Sequence, residues 1–323
     1  MKKIISIIIS ALCVFSLTAC GSENEAKTEI PVIGISQYGE HPSLDNCFNG
    51  FLLGLEEAGL QEGVDFKYIY QNAGFDDNVA VQIAQNFSAK NVDLMCGIAT
   101  NSATACYAAA EDKNIPVIFN AITDPSEAKL DFGNVTGVSD KLPIEAQLKL
   151  IRACQPEAKT IGIAYTTSEP NSVSAIAEYK AKAPEFGFEI VEAGVTSQSE
   201  VTQAIDSLIQ KGVDCISNLT DNNVVGVLDS VLDKTSQAGI PVYGSEIEQV
   251  KKGCAASAGI EYVELGKQAG RMAAKILKGE AECAEIPYET VTEFQIYINS
   301  AELKKLNITL PRDIAGKAVD VCR

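Results

Sequence analysis

The chain has 323 residues, 46% of them hydrophobic, and its 26 basic residues against 43 acidic ones leave a formal net charge of −17. That balance excludes nucleic-acid binding by charge, which needs clustered Lys and Arg to displace counterions, and the acids read instead as a solvated surface. A chain of this length and apolar content suggests two domains with a core each, and the single histidine, His41, excludes a histidine-rich metal site.

Lys2 and Lys3 precede an apolar run, IISIIISALCVFSL, too short and wrongly flanked for a stable membrane span. LTAC follows at 17–20 and resembles a bacterial lipobox, which implies a signal peptide over 1–19, a diacylglycerol on Cys20 and a flexible linker over 20–29. Burying acyl chains is worth about 0.8 kcal/mol per CH₂, so the lipid would hold the protein at the outer face of the cell membrane. Cleavage would remove two lysines and no acid, making the mature chain more acidic still. Of the ten cysteines, Cys13 leaves with the signal and no CxxC pair occurs among the rest. Cys96 and Cys215 sit in apolar, strand-like runs and read as small core residues. The pairing of the others stays open.

From residue 30 onward strands and helices alternate. IPVIGISQ (30–37) reads as a strand, FNGFLLGLEEAGL (48–60) as a helix with Phe48, Phe51, Leu52 and Leu55 on one face, and FKYIYQ (66–71) as a strand. A helix and strand follow over 77–102, then the strand of NIPVIFNAITDP (114–125). The same phrases then recur: KTIGIAYTT (159–167), a helix over 172–187 interrupted by Pro184, FEIVEAGV (188–195), a helix and strand over 199–222, and GIPVYGSEIEQ (239–249). One α/β unit of about 120 residues is thus used twice, too long a period for a solenoid. Near-continuous Val/Ile runs between helices mean parallel strands buried on both faces, so the expected fold is two doubly wound parallel-sheet lobes. A long helix (261–280) and a final strand and helix (290–311) read as additions to the lobes. The expected lobes are 30–139 plus 260–289 and 140–259 plus 290–323, joined by a hinge that the chain crosses several times.

Ligands of open parallel sheets bind outside the carboxyl ends of the strands. Two such rims facing each other make a cleft, lined by the loops 36–45, 99–104 and 120–126 from one lobe and 166–174, 219–223 and 244–249 from the other. Candidate solute contacts on these loops are Gln37, Tyr38, His41, Asn101, Ser102, Thr123, Asp124, Asn171, Ser172, Asp221, Asn222 and Glu246. Asn101–Ser102 and Asn171–Ser172 stand at helix starts, whose amides bind carboxylates. Asp124, Asp221 and Glu246 are acids able to receive an ammonium. Together these suit a zwitterion. Tyr38, Phe119, Tyr165 and Tyr243 lie near the rims, either to pack a side chain of the solute or to fill the lobe cores. Enzyme motifs are missing: there is no GxGxxG after a strand, Walker A, GxSxG or HExxH, and no nucleophile elbow accompanies His41.

The lipobox, IGISQYGEHPSLD, IATNSATA, IPVIFNAITDP, YTTSEPNSVS, TDNN, GIPVYGSE and GIEYVELGKQAGRMAAKIL, in this order, resemble the substrate-binding lipoproteins of ABC transporters for tryptophan and other aromatic amino acids. The resemblance implies a type I periplasmic-binding fold that closes on a small solute and delivers it to a permease driven by an ATPase. It implies an extracytoplasmic monomer that needs no cofactor or metal and is not an enzyme. A chain without Trp would rest an aromatic solute on Tyr or Phe. A sensory lipoprotein of the same fold, for a sugar or a nucleoside, is the alternative.

Overall fold

In a computed structural model, residues 30–322 are described; the expected signal peptide (1–19) and the whole linker (20–29) with Cys20 lie outside them. The first sheet takes its strands in the order β11-β5-β4-β3-β1-β2, all parallel. These are β1 (Val32–Gln37), β2 (Lys67–Asn72), β3 (Leu94–Ile98), β4 (Val117–Asn120), β5 (Val135–Ser139) and β11 (Glu289–Thr290). The second sheet runs β13-β12-β10-β9-β8-β6-β7, built from β6 (Thr160–Thr166), β7 (Glu189–Val195), β8 (Cys215–Ser217), β9 (Val242–Tyr243), β10 (Ala256–Gly259), β12 (Gln295–Ile298) and β13 (Val319–Asp320). It is parallel except where β12 runs against β10, with Ala256 opposite Ile298. The two doubly wound lobes expected from the repeated phrases are therefore present.

The central strands β1, β3 and β4 are buried along almost their whole length, as strands covered on both faces must be. The covering helices of the first lobe are α1 (Pro42–Glu57), α2 (Asp77–Ala89), α3 (Thr100–Ala110) and α10 (Tyr262–Leu277). The second lobe carries α4 (Ile144–Cys154), α5 (Pro170–Lys182), α6 (Gln198–Gln210), α7 (Asn222–Gly226), α8 (Leu228–Ala238), α9 (Ile247–Lys252), α11 (Ser300–Lys305) and α12 (Arg312–Ala315). Its sheet separates two apolar clusters, whereas the first lobe has one continuous core. Helix α5 ends ahead of Pro184, and the chain continues as a single 3₁₀ turn over Ala183–Phe186.

Helix α10 returns to the first lobe and lies against α1 with almost no gap. Gly50 and Gly54 of α1 meet Gly266 and Gly270 of α10, and a Cβ on any of the four would collide with a backbone carbonyl of the other helix. The chain passes from one sheet to the other three times: after β5, after β10 and between β11 and β12. Seven of the eight cysteines among the described residues are buried, all eight are free, and Cys283 and Cys322 sit on different lobes.

Candidate functional site

Between the carboxyl ends of the two sheets lies a cavity of about 340 Å³ walled by both lobes. The first lobe contributes His41, Ser43 and Leu44 at the start of α1, Ala99 and Thr100 at the start of α3, and Ala121 and Thr123 after β4. The second contributes Asn171, Thr220, Asn222, Val225 and Gln249, and the crossing segments contribute Asp140 and Tyr262.

The first turn of a helix carries amide N–H groups with no partner inside the helix. The residues capping α1 and α3, His41 and Ala99, make no side-chain cap to those amides. Ala99 holds φ +73° and Ala121 φ +61°, left-handed values that cost an alanine energy and that recur where backbone is forced around a ligand. Helix α1 begins at Pro42, directly after His41, so the loop expected over 36–45 is shorter than the sequence suggested. Asp45 is already in the first turn, where it accepts from Gln37 Nε2 at 2.8 Å.

His41 is 8% exposed, and its ring lies parallel to that of Phe75 at 6.4 Å. Its Nε2 lies 3.2 Å from Asn222 Oδ1 on the other lobe. Burial pushes the imidazole down to about 4, so it is neutral at pH 7. Three more polar contacts cross the cleft: Thr123 to Thr220 at 3.4 Å, Ser174 to Asp124 at 2.9 Å and Asn46 to Glu248 at 3.1 Å. Asp140 accepts from the hydroxyls of Thr123 (2.9 Å) and Tyr262 (2.7 Å), and burial raises its carboxyl. Three polar atoms of the cavity residues are buried without a hydrogen-bond partner in the chain: His41 Nδ1, Thr100 Oγ1 and Asn171 Oδ1.

Of the candidates named from sequence, His41, Thr123, Asn171 and Asn222 come together in this wall. The others sit around it. Asp221 is fully buried and accepts from Thr166 N, Thr166 Oγ1, Ser172 Oγ and Val224 N, which occupies both oxygens and Ser172 as well. Glu246 caps α9 through Glu248 N and Gln249 N, and burial raises it to about 7. Asp124 bonds Ser174 and Glu127 N at the cleft edge. Asn101 and Tyr38 both donate to Asp77, Gln37 bonds Gly39 and Asp45, and Ser102 accepts from Ser36. Phe119 and Tyr243 are core residues and Tyr165 is half-buried; the aromatic ring on the cavity is Tyr262.

Sequence reasoning missed Asp140, Tyr262, Gln249 and Glu169. Glu169 is fully buried behind the cavity wall. It accepts from Asn171 Nδ2 (3.2 Å), Asn222 N (2.9 Å), Asn222 Nδ2 (2.7 Å), Asn223 N (3.2 Å) and Asn223 Nδ2 (3.1 Å). Burial, and then the neighbouring Asp221 carboxylate, raises its pKa. Among the described residues no group of His, Cys, Asp and Glu is arranged to hold a metal ion, and no helix is long and apolar enough to cross a membrane.

A family model described as ABC transporter substrate binding protein matches residues 32–322. A tyrosine-binding protein of Clostridioides difficile is 39% identical over 324 residues, covering 95% of this chain and 93% of that protein. A Streptococcus pneumonia structure in complex with L-Trp is 33% identical, with a TM-score of 0.86 over 90% of this chain and 99% of its own. The ligand-free, open structure of a substrate-binding protein with adhesive properties from Clostridium difficile is 36% identical at the same coverage, yet its TM-score is 0.67. The overall shape of this chain is thus more similar to the L-Trp complex than to that ligand-free, open structure.

Proposed function

The chain belongs to the ABC transporter substrate-binding protein family, and we propose that its solute is an aromatic amino acid, held as the zwitterion in the inter-lobe cavity. Proteins of this family bind a solute outside the cytoplasm for an ABC importer; they are carriers, not enzymes. The observation that carries the amino-acid reading is the pairing of opposite polarities in one slot. The cavity holds the uncapped amide ends of α1 and α3, suited to a carboxylate. It also holds the unpaired Asn171 Oδ1 and His41 Nδ1 and the Asp140 carboxylate, suited to an ammonium. Leu44, Ala121, Val225 and the ring of Tyr262 supply apolar wall for a side chain. The tyrosine-binding relative and the L-Trp complex support the aromatic class.

The protein works as a monomeric clamp of two lobes, 30–139 plus 260–289 and 140–259 plus 290–323. It hinges at the crossings near 139–141, 258–260 and 290–293, and a lipid on Cys20 tethers it to the membrane beside its permease and ATPase. Both lobes wall the cavity, so a solute enters when they part and is enclosed when they meet, which couples binding to closure. A thermal-shift screen against the twenty amino acids, nucleosides and sugars tests the reading. A ligand at a thousand times its Kd adds about 4 kcal/mol, a rise of several degrees. Tyrosine, tryptophan or phenylalanine should give that rise; a response to a sugar or nucleoside alone refutes the zwitterion site.

A further inference from the structure

We propose that Glu169 is the positioning residue that sets the hydrogen-bond polarity of the cavity. It turns the Asn171 amide oxygen and, through Asn222, a bare nitrogen of His41 toward the solute, so that the slot selects an ammonium group. The inference rests on the amino-acid reading above.

The argument is one of forced orientations. Burial raises Glu169 to about 8, but the backbone N–H groups of Asn222 and Asn223 point one at each of its oxygens, so both act as acceptors, as a backbone carbonyl does. The Asn171 Nδ2 lies 3.2 Å from Glu169 Oε2 and 3.1 Å from the Thr220 carbonyl oxygen. Reversing the amide would set its oxygen against two acceptors, so Nδ2 stays inward and Oδ1 is left toward the cavity, buried and without a partner in the chain. Asn222 is fixed twice over, its backbone N–H and its Nδ2 both donating to the same Glu169 oxygen. Its Oδ1 is thereby left facing His41 Nε2 at 3.2 Å. An amide oxygen cannot donate, so Nε2 must carry the ring proton. In a neutral imidazole the other nitrogen is then an acceptor. That nitrogen, His41 Nδ1, is the second buried atom of the wall with no partner in the chain. One carboxylate on the second lobe thus decides the tautomer of a histidine on the first.

Two acceptors from opposite lobes suit an ammonium, which has three donors and no lone pair to repel them. Glu169 has no Lys or Arg within ion-pair range among the described residues, so its hydrogen bonds come from N–H groups alone.

The experiment compares tyrosine with 3-(4-hydroxyphenyl)propanoate, the same molecule without its ammonium, by titration calorimetry on the wild type, Glu169→Gln and Asn171→Ala. The wild type should prefer tyrosine by about a hundredfold or more. Glu169→Gln presents an NH₂ of its own and frees both asparagines to reverse, so that preference should fall to about tenfold or less. Asn171→Ala deletes one acceptor and should move the ratio the same way. His41 is the sole imidazole, so its ring nitrogens can be read without assignment by ¹⁵N NMR on tyrosine-bound protein carrying a histidine-free tag. Protonation at Nε2 in the wild type, lost or mixed in Glu169→Gln, is the expected signature. A Glu169→Gln protein that weakens both ligands equally and keeps the Nε2–H tautomer overturns the proposal. If that variant does not fold, an unchanged ratio in Asn171→Ala or an Nδ1–H wild type overturns it. A wild type that binds no aromatic amino acid refutes the amino-acid reading and the inference with it, whereas binding with an unchanged ratio refutes only the inference.

Discussion

Replacing Ser174 by alanine isolates what one contact across the cleft contributes to closure. Its hydroxyl donates to Asp124 Oδ2 at 2.9 Å from the start of α5, outside the cavity wall, and makes no other hydrogen bond among the described residues. In the open form both partners meet water, so the substitution leaves no buried orphan there. A hydrogen bond of this kind is worth about 0.5–1.5 kcal/mol net. A central value of about 1 kcal/mol lowers the closed-to-open ratio about fivefold, and the apparent Kd should rise by the same factor if the open form dominates without solute. The melting temperature of the ligand-free protein should hold, because neither lobe core is touched. Calorimetry for Kd and a ligand-free melt give both numbers. Adding Asn46→Ala, which removes the Glu248 contact at 3.1 Å and shares no partner with Ser174, should multiply the loss to about twenty-five-fold. Wild-type affinity in Ser174→Ala, or a lowered ligand-free melting temperature, would refute the assignment of this bond to closure.

His41 makes the closed form pH-sensitive. Its ordinary value is about 6.5 and burial takes it to about 4. A base with a depressed folded pKa binds fewer protons folded than unfolded, so its contribution is whole above about 6.5 and declines as pH falls toward 4. The full shift corresponds to about 3 kcal/mol, visible as a steeper fall of solute affinity in the wild type than in His41→Gln. Asp221→Ala should destabilise the fold rather than merely weaken binding. Stripping two backbone amides and two hydroxyls of a buried acceptor costs at least about 3 kcal/mol, a drop of roughly 6 °C or more in a ligand-free melt. A stable Asp221→Ala protein that has lost only binding would return Asp221 to the solute.

The doubled α/β plan was legible because parallel strands buried on both faces are written as unbroken apolar runs, and VIGIS and TIGIA cannot face water on either side. The rim loops followed from the strand ends, and His41, Thr123, Asn171 and Asn222 on them do reach the cavity. Which acid faces inward was not legible. Asp221 and Glu169 are both short acids on second-lobe rims, and only the folded chain assigns one to Thr166 and the other to three asparagines. A local signal did exist for Asp221: it stands just ahead of a helix start, an N-cap position, and it caps α7 through Val224 N. Asp140 and Tyr262 escaped because they meet only after two crossings between lobes bring residues far apart in sequence to one hydroxyl bond. The close seam of α1 and α10 had its mark as well, in GFLLG and GKQAG, the same spacing of glycines on two helices.

The same geometry explains why solute should decide the state of the clamp. Closure gains four direct polar contacts across the cleft, worth about 2–6 kcal/mol at the usual net value for a hydrogen bond. It also buries His41 Nδ1, Thr100 Oγ1 and Asn171 Oδ1 away from any partner in the chain, at about 1–3 kcal/mol each. Gain and cost are therefore of the same size, so these contacts alone do not hold the empty protein closed. A solute whose ammonium satisfies the acceptors removes the cost and keeps the gain, which is the differential affinity that closure requires. A carboxylic acid of the same shape but without the ammonium leaves the acceptors unmet. It should bind while the lobes stay open, and small-angle scattering would then show no compaction where tyrosine produces one.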